Sequence, residues 1–519
     1  MDADVIVVGG GSNTLSAAAY LGKAGLGVCV LEKNDRLGGC VVSHDNPEGY
    51  IQDTIATAIV TGAANPIIAD DELDLFSRHG LEIAWSDKPY ATIFEDGSGL
   101  ITYRDLDASC ESIARFSTRD AEAYRALVGE ALAIWPILRQ ALFEPPVPYG
   151  SFIAGLDSTE QGRHLLSLYH SSIYDIVRQR FENDAVRTHL ARCPETAQSA
   201  DTNGTGLVLY LFLALAHSYP TGAVVGGLQK LSDALGACLE QHGGSIRYGV
   251  TVDKILVEGG RAVGVLTSDG ETIRARRAVV ASIHPWDLGS MVPGVSEALV
   301  QRCASVRLSQ YGSFNIHCTL PTTPSYHAGT AFDDAMNVCL LDRDPKTFLR
   351  NHSGYRYGDM PTELDPIIYI QSNFDPTRAP EGHATLYAYN FVPFEPAGAT
   401  WDDIKSEFAD RVLAKIFAHM SNLDIDQILS RTVVTPADHA AWSPSLKNGD
   451  TVGIAMDAGQ MFGMRPIPEL ANYRVPGAEG LYLCGPFMHP GGTIILGGRA
   501  TALQMFADMG LEREGVFIG

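Results

Sequence analysis

One apolar run that enters three glycines constrains this chain more than any other feature. Val5-Ile6-Val7-Val8 leads into Gly9-Gly10-Gly11, and an Ala/Leu-rich stretch with helical spacing follows from Ser12 to about Ala24. A β-branched run without polar alternation predicts a strand buried on both faces, as in a parallel sheet covered by helices. A second run, Val28-Cys29-Val30-Leu31, ends in Glu32. Strand, glycine turn, helix and strand in this order predict a βαβ unit with a dinucleotide fingerprint at its first turn.

Each position of that turn has a physical job. Gly9 permits the tight turn, and Gly11 lets the main chain come close to a pyrophosphate. The amides of Ser12, Asn13 and Thr14 open the helix, where unpaired donors and the positive dipole end favour an anion. Glu32 lies about twenty residues on, where a carboxylate accepts hydrogen bonds from a ribose diol. The same charge repels a 2′-phosphate. Thr14 occupies the place of the third fingerprint glycine, which predicts a slightly wider approach of helix to strand.

Composition narrows the class. The chain has 519 residues, 38 basic against 61 acidic side chains and a formal charge of −23. That balance argues against a nucleic-acid partner, which demands basic patches. It gives no general attraction to anionic lipid, although a local apolar patch is still compatible with bilayer contact. The 9 cysteines are scattered without CxxC or zinc-ligand spacing, which predicts free thiols in a reducing compartment and no metal site. Met1-Asp2-Ala3-Asp4 offers no basic leader, and Leu207–Ala216 is too short to span a bilayer. The expectation is a soluble, cytoplasmic protein whose oligomeric state stays open.

Beyond Glu32 the chain reads Lys33-Asn34-Asp35-Arg36-Leu37-Gly38-Gly39. Glutamate followed by this glycine pair resembles the FAD-binding signature of the amine oxidase and phytoene desaturase flavoproteins. Two C-terminal stretches are similar to the phytoene-desaturase-related branch: Gln460-Met461-Phe462-Gly463-Met464-Arg465-Pro466, and Gly480 through Gly485 with His489-Pro490-Gly491-Gly492. The resemblance implies FAD as cofactor, with Lys33, Gly38 and Gly39 in the loop around the pyrophosphate and Val252 meeting the adenine through its main chain. Gly485 and Pro486 repeat the phosphate-loop logic at the cofactor's other end. Gly492, Thr493 and Ile494 are expected to contact the isoalloxazine through main chain, ahead of a helix from Gly498 to Met509. Thr493-Ile494-Ile495-Leu496 departs from the family's glycine-rich continuation. Cys40 has no partner cysteine nearby, unlike the disulfide reductases, and no second dinucleotide fingerprint follows.

The fold class expected is α/β: a discontinuous Rossmann-type FAD-binding domain (1–85, 226–300 and 440–519) with a mixed sheet-plus-helical substrate domain (86–225 and 301–439). The first insertion reads as mainly helical, with helical periodicity from Asp120 to Leu142, and the second as mixed. Two groups stand out as acid–base or anchoring candidates. His489, beside the expected flavin turn, either titrates near neutrality or is a loop histidine bonded to backbone. Arg465 either holds a substrate anion or the flavin carbonyl edge, or makes a structural ion pair. His284 and Tyr219 are weaker candidates. The function implied is FAD-dependent dehydrogenation of a carbon–carbon bond in an apolar, terpenoid-like or alicyclic small molecule. A redox-neutral isomerase or saturase, an amine oxidase and a non-catalytic flavin-binding partner protein remain the alternatives.

Overall fold

The computed structural model describes residues 3–518 apart from Cys193, 195–197 and Thr493. The strand Ala3–Val8 forms as expected and lies at the centre of a sheet, between Val28–Leu31 on one side and Thr272–Ala281 on the other. All three are parallel, with Val5 opposite Val28 and Val7 opposite Val280. Ser245–Arg247 and Leu481–Leu483 extend the parallel array at its two edges. Its strands therefore come from three separated stretches of chain. An antiparallel pair, Val252–Glu258 and Arg261–Thr267, continues from the start of Thr272–Ala281. Helices Ser12–Lys23, Gln229–Gln241 and Gly498–Met509 cover the sheet and bury their apolar positions against it.

The chain leaves this layer through Ile83–Ser86 and returns through Thr221–Val224, and these two segments pair antiparallel. Between them the insertion is not purely helical. Tyr90–Phe94 and Gly99–Thr102 join a second, mixed sheet built mostly from residues 312–434. Their short apolar runs carry no partner information, and Tyr90–Phe94 pairs with Asn337–Leu341, far away in sequence. One face of that sheet packs Phe314, Ile316, Leu386 and Ala388 on helix Trp401–Ala418. The other face turns Ile367, Tyr369 and Tyr387 toward the helical insertion.

Helix Thr118–Phe143 is long and apolar enough, by length and composition, to cross a membrane. In the fold one of its faces is covered: Tyr124, Leu127, Val128, Ala131, Ile134 and Leu138 are buried along it, and Gly206–Ser218 packs beside it.

Candidate functional site

The carboxyl ends of the parallel strands meet in one cleft of about 260 Å³. Gly9 follows the first strand, Glu32 the second, Ser282 the third and Gly485 the last, and all four line it. Crevices at strand carboxyl ends are where open α/β sheets bind ligands. Gly11, Ser12, Asn13, Thr14, Lys33, Gly38, Gly39, Val252 and Pro486 complete the expected residues on its wall.

The first turn is braced from several sides. Glu32 is buried, and its Oε2 accepts the Gly10 N–H at 2.7 Å while Oε1 accepts that of Asn34 at 2.8 Å. A carboxylate offers about four acceptor positions, so lone pairs remain for a ligand's hydroxyls. Gly38 donates its N–H to Gly10 O at 2.8 Å, which draws the glycine pair against the turn. Thr14 does more than fill the third glycine position. Its hydroxyl lies 2.6 Å from Gly9 O and 2.9 Å from Gly11 O, so the side chain ties down the turn.

The geometry fits an oxyanion ligand. A Cβ at Gly11 would meet no protein atom closer than 3.9 Å, so space stands open before the first turn of helix Ser12–Lys23. The donors there are main-chain amides with a helix dipole behind them.

Other wall residues went unnoticed in the sequence. Trp442 donates its indole N–H to Gly39 O at 2.9 Å, and Lys33 donates to Trp442 O at 3.0 Å, closing the cleft over the glycine pair. Ser443, Pro444, Ser445 and Leu446 continue that side. A lone tryptophan on a short helix carries no motif, and only the fold brings it to Gly39. His284 also lines the cleft, but its Nδ1 accepts the Trp286 N–H and its Nε2 meets Gly453 O at 3.2 Å. Burial pulls its pKa down to about 4. Cys40 on the same wall is half-buried, and desolvation pushes its thiol up to about 12.

The second glycine-rich turn lies past the cleft wall. Gly492 and Ile494 are not on that wall: Gly492 O accepts from Asn13 Nδ2 at 3.1 Å, and Ile494 packs against the core of the nucleotide layer. Thr493 lies outside the described residues.

Arg465 and His489 both bond to main-chain carbonyls. Arg465 is fully buried and makes no ion pair among the described residues. Its guanidinium donates instead to four carbonyls: Ala455 and Gln460 from one nitrogen at 2.9 and 3.1 Å, Pro486 at 2.7 Å and Met488 at 3.1 Å. A Cβ at Gly491 would stand 2.9 Å from its central carbon, so the turn folds directly over the arginine. Arg465 therefore shapes the turn from beneath, and that leaves it unable to clasp a substrate. His489 meets Ala141 O at 2.7 Å through Nε2, which must carry the proton because a carbonyl can only accept. Burial pulls this imidazole down to about 4, so it is neutral near pH 7. The backbone-bonded reading of His489 is the one realised. Tyr219 packs edge-on against Trp135, 5.8 Å between centroids.

Comparison with known proteins decides the family. The profile of flavin containing amine oxidoreductases matches residues 15–421. The chain belongs to that family. This flavoprotein is 29% identical to the mouse (Mus musculus) "pyridine nucleotide-disulfide oxidoreductase domain-containing protein 2", over 98% of this chain and 94% of the relative. It is 28% identical to a limonene dehydrogenase component from Castellaniella defragrans, over 98% and 95%. A phytoene desaturase of Fusarium fujikuroi shares 23% over 98% and 90%. Cyclohexylamine oxidase from Brevibacterium oxydans superimposes with a TM-score of 0.60 at 16% identity, covering 98% of this flavoprotein and 100% of the oxidase, a likeness of fold. The flavoprotein is thus an FAD-dependent oxidoreductase of the amine oxidase and phytoene desaturase superfamily, with a Rossmann-type cofactor layer.

One prediction concerns the cofactor's sugar. Changing Glu32→Gln keeps the shape but removes the charge and one carboxylate acceptor. A hydrogen bond to a charged group is worth about 1.5–3 kcal/mol, so FAD affinity should fall roughly tenfold to a hundredfold. Titration of the apoprotein with FAD measures this, and wild-type affinity in the variant would remove Glu32 from the site.

Proposed function

We propose that this protein dehydrogenates a carbon–carbon bond of an apolar, alicyclic or terpenoid-like molecule. The observation that carries the reading is the seam at residues 494–496. Ile494 and Ile495 belong to the apolar core of the nucleotide layer, whereas Leu496 packs into that of the helical insertion. The end of the cofactor layer therefore abuts an apolar, aromatic interior. Phe462 lies 5.9 Å from His489 and stacks on Phe152 at 5.0 Å, with Tyr169 at 6.0 Å. Such a layer excludes water and takes an apolar ligand.

FAD, when bound, supplies the two-electron acceptor. Glu32 would hold its ribose, and the amides of Ser12, Asn13 and Thr14 its pyrophosphate. Val252 would meet the adenine, and the main chain of Gly492 to Ile494 would approach the isoalloxazine. His489 stays neutral with its proton committed to Ala141 O. It is therefore not poised to exchange a proton near neutrality, which favours removal of hydride from an activated C–H over prior deprotonation. The relatives named as limonene dehydrogenase and phytoene desaturase support the same substrate class.

Anaerobic mixing of the FAD-loaded protein with cyclic terpenes, ketones and amines tests the reading. Bleaching of flavin absorbance by a cyclic terpene, with a product two hydrogens poorer, is expected. Bleaching by amines alone would make it an amine oxidase. Conversion without net bleaching would make it an isomerase or saturase, and no response to any compound would leave a flavin-binding partner protein.

A further inference from the structure

Asn13 sits on the cleft wall at the start of the phosphate-facing helix, yet its side chain points to the other end of the chain. Its Nδ2 donates to Gly492 O at 3.1 Å and its Oδ1 accepts the Gly497 N–H at 2.8 Å. One carboxamide thus grips both ends of the turn that precedes helix Gly498–Met509. Between those two points, Ser12 Oγ accepts the Ile495 N–H at 3.3 Å, and Asn65 Nδ2 donates to Ile495 O at 2.9 Å.

The middle of this turn would not hold its shape alone. Ile495 is buried at φ 50°, in the left-handed region that a β-branched residue rarely enters. Such strain persists only where the surroundings over-determine it. Here the N–H and C=O of the strained residue, and both flanks of the turn, are fixed by side chains from the first sixty-five positions.

We infer that Asn13 is a positioning residue that couples the two ends of the cofactor site. Its main-chain amide belongs to the pyrophosphate end, and its carboxamide sets the turn expected beside the isoalloxazine. This rests on the reading of the cleft as the FAD site. The carboxamide is suited to the task because one end donates to a carbonyl while the other accepts from an amide. Aspartate is nearly isosteric but can only accept when ionised, so it would keep Gly497 and set a negative charge against Gly492 O.

The test uses purified holoprotein carrying Asn13→Asp, with Asn13→Ser as a milder second variant. The expected results are an altered visible flavin spectrum in both, and a lower flavin midpoint potential in Asn13→Asp, because added negative charge opposes reduction. FAD dissociation constants should rise at least tenfold. The potential and spectrum separate coupling from a general loss of stability, which thermal melting of the apoproteins reports in parallel. Wild-type spectra, potential and FAD affinity in the variants would overturn the inference, as would a fall in melting temperature with none of these altered. A wild type that takes up no FAD would overturn the underlying reading, and the coupling with it.

Discussion

Replacing Arg465 by methionine is expected to collapse the second glycine-rich turn and strip the protein of FAD. The guanidinium is buried without a bonded carboxylate, and four main-chain carbonyls depend on it. Methionine has similar reach but no donor, so those oxygens would stay buried and unpaired. Each unsatisfied group costs about 1–3 kcal/mol, and partial relaxation keeps the sum at roughly 4 kcal/mol or more. That is a large fraction of an ordinary protein's stability. Arg465→Lys, which keeps the charge and three donors, should fall between the two. Thermal unfolding of the apoprotein and flavin content after gel filtration measure the effects. A methionine variant that melts and retains flavin like the wild type would show that the carbonyls find other donors.

Acid should unfold this protein unusually early. His189, His284, His317, His439 and His489 are all buried, and burial pulls each pKa from 6.5 to about 4. The unfolded chain takes up these protons near pH 6.5, whereas the folded chain resists until about pH 4. Between those values the unfolded state binds more protons, so stability is complete above pH 6.5 and drains away as pH falls. Each histidine contributes about 3 kcal/mol across that window. Five together approach or exceed the total stability of a typical domain, about 5–15 kcal/mol. Circular dichroism and release of fluorescent flavin should both report a steep transition above pH 4. Unchanged melting temperatures from pH 7 to pH 4.5 would mean that these imidazoles reach water or partners when protonated.

The cofactor layer was legible in the sequence because its signals are local. A buried strand, a glycine turn and a helix declare themselves within the first forty residues, and the C-terminal helix Gly498–Met509 forms at the expected positions. The second sheet was only partly legible, since Tyr90–Phe94 finds its partner at Asn337–Leu341 and no local pattern encodes that pairing. The partners of two candidate residues stayed hidden for another reason. Arg465 and His489 bond to main-chain carbonyls, which every residue possesses, so no side-chain pattern marks their partners. Thr14 departs from the fingerprint and still serves the turn, because a hydroxyl can do by bonding what a missing side chain does by absence. Asn13 resembled any polar residue at a helix start until the turn it holds came into view.

The clasp between Asn13 and Gly497 joins groups 484 positions apart. During synthesis on a ribosome the phosphate-facing helix emerges 484 residues ahead of the amide that its asparagine holds. A nascent chain therefore has half a cradle until that turn is made. Loading of flavin then waits for the turn between Gly492 and Gly497, and a chain cut before that turn would be folded in part but colourless.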